Sequence, residues 1–202
     1  MSARPSTARL FVAVVPPLDV IEALDGFLEP RRVASTELRW ASPESFHVTL
    51  AFCPHVPRDR VEYLSELLTP ATRVGEFRLR LMGAGAFPHA ARAKVLWQGV
   101  HDPADALAPL TRRVRGAANR AGGSPDGAAF SAHLTVARSA GVQASRWLSV
   151  LSTFTSREWT VDTVHLIESW LGQGPRGRSR YEVVGTFAVS GPARSPETPA
   201  RR

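Results

Sequence analysis

A short pattern that occurs twice constrains this chain more than any other feature. Phe46-His47-Val48-Thr49-Leu50 and Ala132-His133-Leu134-Thr135-Val136 each carry His, apolar, Thr, apolar. Side chains alternate across a strand, so a His and a Thr two apart share one face. Val48 and Leu50 then point the other way, as do Leu134 and Val136. Each copy offers an imidazole and a hydroxyl on one face and an apolar anchor on the other. Two copies suit a chain of two similar halves, each placing one His-Thr pair in a shared cleft.

The pattern also constrains the chemistry. Imidazole titrates near neutrality, so one histidine can accept a proton while the other donates one. A threonine hydroxyl can donate to a non-bridging phosphate oxygen. Two donors aimed at one phosphorus centre stabilise the charge that develops there. The set suits in-line opening of a phosphodiester, with a proton taken on one side and given on the other. It suits metal chemistry poorly, because neither motif has the usual cluster of His, Cys or carboxylate ligands. No cofactor is expected.

The flanks add order to the motifs. They are Arg9-Leu10-Phe11-Val12-Ala13-Val14, Arg39-Trp40, Glu44-Ser45-Phe46, Gly85-Ala86-Phe87-Pro88, Val95-Leu96-Trp97 and Ala137-Arg138. With His47-Val48-Thr49-Leu50 and His133-Leu134-Thr135-Val136, they resemble the two-histidine (2H) phosphoesterases. Within these the chain is most similar to the RNA 2',3'-cyclic phosphodiesterases, also called 2'-5' RNA ligase-like proteins. Ala132 departs from the proline that family members often carry before the second histidine. The resemblance implies a bilobal fold with pseudo-two-fold symmetry. It also implies hydrolysis of a 2',3'-cyclic phosphate, at an RNA end or on a nucleotide, to a 2'-phosphomonoester. His47 would be the proton donor and His133 the acceptor, with Thr49 and Thr135 on the phosphate; the residues alone leave that order open. Rival readings are a 2'-5' oligonucleotide phosphodiesterase or ligase in the same site, and an RNA-end-binding module without turnover.

Other residues are weaker candidates. Strict alternation puts Arg138 on the face opposite His133; it reaches the phosphate only if the strand ends or bulges after Val136. Phe11, Trp40 and Tyr181 are candidates for stacking or ribose contacts. Arg176 and Arg178 are candidates for more distant phosphates. Asp162 with His165 suggests a metal pair that lacks a third ligand.

The 202 residues are 44% hydrophobic and 21% charged, ordinary values for a globular chain. The formal net charge of +7 lies in the ends and one loop: Arg4 and Arg9, then Arg176, Arg178 and Arg180, then Arg194, Arg201 and Arg202 less Glu197. The single cysteine, Cys53, excludes an internal disulfide and fits a reducing cytoplasm. No apolar run approaches the roughly 18 residues of a membrane helix. The run from Leu10 to Val15 is too short for a signal-peptide core. The chain reads as a monomer.

The periodicity predicts an α+β fold: two mostly antiparallel sheets facing across a central cleft, with helices outside. It predicts a flexible N-terminus over 1–8, one bilobal domain over 9–190 and a disordered basic tail over 191–202. Helices are expected from Asp19 to Leu28, ended by Pro30, from Pro57 to Pro70, from Pro103 to Ala121 and from Gln143 to Phe154. Phe77–Leu81 reads as a strand before a loop at Gly83–Pro88. Trp159–Trp170 reads as one long strand.

Overall fold

The computed structural model describes residues 6–125, 127, 129–189 and 191. Strand β1 (Thr7–Val14) sends Ala8, Leu10, Val12 and Val14 into the main core and Phe11 and Ala13 to the opposite face. Ala8 is 1% exposed; residues 1–5 of the expected flexible N-terminus lie outside the described residues. Pro16 and Pro17 end the strand. Helix α1 (Leu18–Val33) follows, with Val20, Leu24 and Leu28 buried.

Pro30 does not end α1. It lies within the helix, which runs one turn further. Proline removes one N–H, and that turn is braced from outside the ladder. Arg31 Nη1 donates to Phe27 O at 2.6 Å, and Arg32 pairs with Asp25 at 2.5 Å.

The remaining elements are β2 (Arg39–Trp40), β3 (Val48–Pro57), α2 (Val61–Ala71), β4 (Phe77–Phe87), β5 (Ala93–His101) and α3 (Leu107–Arg120). After them come β6 (His133–Val142), α4 (Ser145–Leu151), β7 (Trp159–Val161), β8 (Thr163–Trp170) and β9 (Arg180–Ala188). The expected loop at Gly83–Pro88 is mostly strand. It pairs with β5 from Ala84↔Gln98 to Phe87↔Val95, after an irregularity beyond Leu81. The expected long strand breaks at Asp162, because its two parts serve different neighbours. β7 pairs with β4, and β8 pairs with β1 and β9.

All strand pairings are antiparallel, and the fold is α+β with a strongly curled sheet. The main order is β7-β4-β5-β6-β3-β1-β8-β9, with β2 added to β6. The expectation of two separate sheets is therefore corrected: the halves join into one path where β3 meets β6. That join is a single registered pair, Val48↔Leu134.

The order is symmetric about this seam. One side reads β3-β1-β8-β9 and the other β6-β5-β4-β7. β4 follows the first motif in sequence yet lies on the second side, and β8 follows the second motif yet lies on the first. The first side is thus completed by β8 and β9, which follow the second motif, and the second by β4 and β5, which precede it. One hydrophobic cluster runs through both halves, joining Leu24, Leu64, Leu110 and Leu151 of the helices to Leu10, Val48, Leu96 and Leu134 of the strands. The helices cover this sheet face, and the histidines lie on the other.

Candidate active site

The seam sets the geometry. Val48 and Leu134 face each other and are fully buried on the helix side. Carried one residue each way, this register places His47 across from Thr135 and Thr49 across from His133. All four point to the open face.

The backbone fixes both rings alike. His47 Nδ1 bonds Ser45 O at 2.7 Å, and His133 Nδ1 bonds Ser131 O at 2.7 Å. A carbonyl accepts, so Nδ1 carries the proton in each neutral ring and Nε2 is left for chemistry. The acceptor is a backbone carbonyl in both cases, so no residue type in the sequence marks this bond.

Each strand then bulges. Leu50 and Ala51 are both buried, and the pairing with β1 skips a residue, from Val12↔Ala51 to Ala13↔Thr49. Val136 and Ala137 repeat the arrangement, from Leu96↔Ala137 to Trp97↔Thr135. An extra residue reverses the alternation beyond it. Arg138 therefore emerges on the side of His133 and Thr135, and Phe52 on the side of His47 and Thr49. The same position holds a cation in one half and an aromatic in the other. Arg9 lies over the Phe52 ring at 4.4 Å, which places a guanidinium on that side too.

Aromatic rings enclose each histidine. Phe11 stacks on His47 with centroids 4.6 Å apart, and Tyr181 meets Phe11 edge-on at 5.1 Å and His47 edge-on at 5.7 Å. Phe87 meets His133 edge-on at 4.9 Å, with Trp97 at 6.1 Å. Phe87 and Trp97 lie in flanks that carried the resemblance, but nothing in the sequence places them against His133; that needs the pairing of β4 with β5. Trp97 lies flat over Gly85, where a Cβ would sit 2.1 Å from its ring.

This enclosure lowers the pKa of His47 from 6.5 to about 4. Loss of hydration is the main cause. The bond to Ser45 opposes the shift, and positive charge on His133 and Arg138 adds to it. Burial thus keeps His47 neutral at neutral pH.

Other candidates lie elsewhere. Trp40 is 7% exposed and packs edge-on against Trp147 at 5.5 Å, in the core under the helices. It is not a cleft residue. β2 has two residues, of which Arg39 takes the open side. Phe11 is 4% exposed and stacks on the His47 ring, whereas Tyr181 is 38% exposed beside it. Cys53 is fully buried, and burial raises its thiol to about 11, as befits a packed side chain and not a nucleophile. His165, on β8, has its Nδ1 3.1 Å from Thr186 Oγ1 on β9. Among the described residues, no three His, Cys, Asp or Glu side chains are placed to hold a metal ion. No helix among them is long and apolar enough to cross a membrane. The expected tail over 191–202 lies, beyond Gly191, outside the described residues.

The chain belongs to the 2'-5' RNA ligase superfamily, whose profile it matches over residues 20–172. A relative from Aeropyrum pernix, an RNA 2',3'-cyclic phosphodiesterase, is 30% identical over 151 residues, covering 72% of this chain and 85% of that protein. Another of that name, from Geobacillus stearothermophilus, is 28% identical over 184 residues; the match covers 90% of this chain and 57% of that protein. The crystal structure of Escherichia coli LigT complexed with 3'-AMP is similar at a TM-score of 0.70 and 25% identity, covering 92% of this chain and 99% of LigT.

Proposed function

We propose that this protein hydrolyses a 2',3'-cyclic phosphate, at an RNA end or on a nucleotide, to a 2'-phosphomonoester without a metal ion. The observation that carries the reading is the pair of Nδ1 bonds to Ser45 O and Ser131 O. They leave two Nε2 atoms, one from each half, free on the face that also bears both threonines. In-line displacement needs a base and an acid on opposite sides of phosphorus. A pseudo-two-fold site supplies them from opposite halves.

In this mechanism the cyclic phosphate lies between Thr49 and Thr135, whose hydroxyls donate to its non-bridging oxygens. Arg138, turned inward by its bulge, adds a positive charge to the same group. His133 Nε2 takes a proton from water as the water attacks phosphorus. His47 Nε2 gives a proton to the departing ribose O3'. The P–O3' bond breaks and the 2'-phosphate remains. This order follows the family resemblance, and the burial of His47 adds a condition to it. A ring that burial keeps neutral must gain its proton as the anionic phosphate arrives. Closing the site around an anion supplies that, because the negative charge favours imidazolium.

The relatives' names, RNA 2',3'-cyclic phosphodiesterase, support the substrate class. Nucleoside 2',3'-cyclic phosphates and a cyclic-phosphate-ended oligoribonucleotide, incubated with wild type and with His133→Ala, test it. Turnover by the wild type and loss in the variant are expected. Binding without turnover by the wild type would instead favour an RNA-end-binding module.

A further inference from the structure

Beside His47 is a second cavity that the reaction above does not use. It has a volume of about 570 Å³ and is lined by Ser42, Glu44, Ser45, Arg178, Arg180 and Tyr181, among others. Two of these residues join it to the site: Ser45 O holds His47 Nδ1, and Tyr181 meets the His47 ring edge-on. The cavity therefore opens along the flank of His47.

Its two walls differ in charge. One is the turn leading into the first motif, where Ser45 Oγ donates to Ser42 O at 2.6 Å and Glu44 supplies a carboxylate. The other is the loop before β9. Gly174 N–H donates to Arg178 O at 2.8 Å, and Arg178 N–H donates to Pro175 O at 3.2 Å. A Cβ at Gly174 would lie 2.8 Å from Ser179 O, so the close turn requires glycine. This turn presents Arg178, which among the described residues has no acidic partner. Arg180 follows, held 3.5 Å from Glu182 and packed over Trp170 at 5.5 Å. An anion is repelled by the Glu44 wall and attracted by the arginine wall, where guanidinium donors match a phosphate's oxygens.

We propose that this cavity is a subsite for the phosphate on the 5' side of the nucleotide being hydrolysed. In an RNA strand, that group is the phosphodiester linking the terminal nucleoside to its neighbour. Arg178 and Arg180 hold it while the cyclic phosphate lies between the histidines. The subsite makes the enzyme prefer a strand end over a free nucleoside cyclic phosphate. The inference rests on the cyclic-phosphate reading above.

The test compares adenosine 2',3'-cyclic phosphate with the same compound bearing a 5'-phosphate, for wild type and the double variant Arg178→Ala/Arg180→Ala. With the wild type, the 5'-phosphate should lower KM about tenfold, the effect of one charge-assisted contact. The double variant should lose that advantage and keep wild-type kinetics on the unphosphorylated compound, which also reports that it is folded. Added salt should erode the wild-type advantage. The subsite is overturned if the 5'-phosphate gives the wild type no advantage, or if the advantage survives in the double variant. A wild type that hydrolyses neither compound overturns the cyclic-phosphate reading itself, and the subsite with it.

Discussion

Burial of His47 under Phe11 and Tyr181 makes the stability of this protein depend on pH through one residue. The ring has a pKa of about 4 when folded and 6.5 when unfolded. The native state therefore binds fewer protons than the unfolded chain, and stability falls as pH falls. The loss starts near pH 6.5 and is complete near pH 4. At about 1.4 kcal/mol per pH unit, it totals on the order of 3 kcal/mol, of which roughly 2 kcal/mol is lost by about pH 5. His47→Asn is the control, since its amide can still donate to Ser45 O but does not titrate. Urea unfolding at pH 7.5 and pH 5.0 gives the stability difference between the two proteins at each pH. Other titrating groups, His165 included, are common to both and cancel. We expect the difference to move by roughly 2 kcal/mol against the wild type at the lower pH. A difference constant to within about 0.5 kcal/mol would mean that His47 is hydrated and that its proposed enclosure is wrong.

Three further outcomes follow from the same geometry. Gly85→Ala should cost about 1–3 kcal/mol by urea unfolding and reduce turnover, because the new Cβ displaces Trp97 from beside His133; unchanged stability and kinetics would show that Trp97 moves freely. Thr49→Ala and Thr135→Ala should each lower kcat/KM by about 10–1000-fold, and Arg138→Ala should raise KM, in steady-state assays on a cyclic nucleotide; full activity in both threonine variants would remove them from the phosphate. Activity should survive exhaustive EDTA treatment, and a loss restored by one divalent metal would require ligands other than those described.

The histidine-threonine face was legible because two-residue alternation is the strongest local rule a strand obeys, and it was written twice. What failed was alternation past an interruption. Arg138 is on the wrong face by counting and the right one by structure, because a bulge at Val136-Ala137 adds a residue that neither composition nor spacing marks. β2 is too short for alternation to orient Trp40. The break at Asp162 was hidden because both parts are apolar, and only their different partners divide them. Pro30 was read as a stop because the rule is local, whereas the bonds from Arg31 and Arg32 that carry the helix past it depend on side-chain placement. The state of His47 was beyond local reading altogether. It depends on β1 and β9 lying close enough, on either side of β8, for Phe11 and Tyr181 to close over one ring.

The central claim is that two histidines, one from each half, open a 2',3'-cyclic phosphate in a fixed direction. The most direct measurement is the product formed from a cyclic-phosphate-ended oligoribonucleotide, separated against 2'- and 3'-phosphate standards, for wild type, His47→Ala and His133→Ala. We predict a 2'-phosphate from the wild type, with each variant slower by about 100-fold or more. A predominantly 3'-phosphate product would contradict the assigned direction of cleavage, and near-full activity in either histidine variant would contradict the two-histidine mechanism.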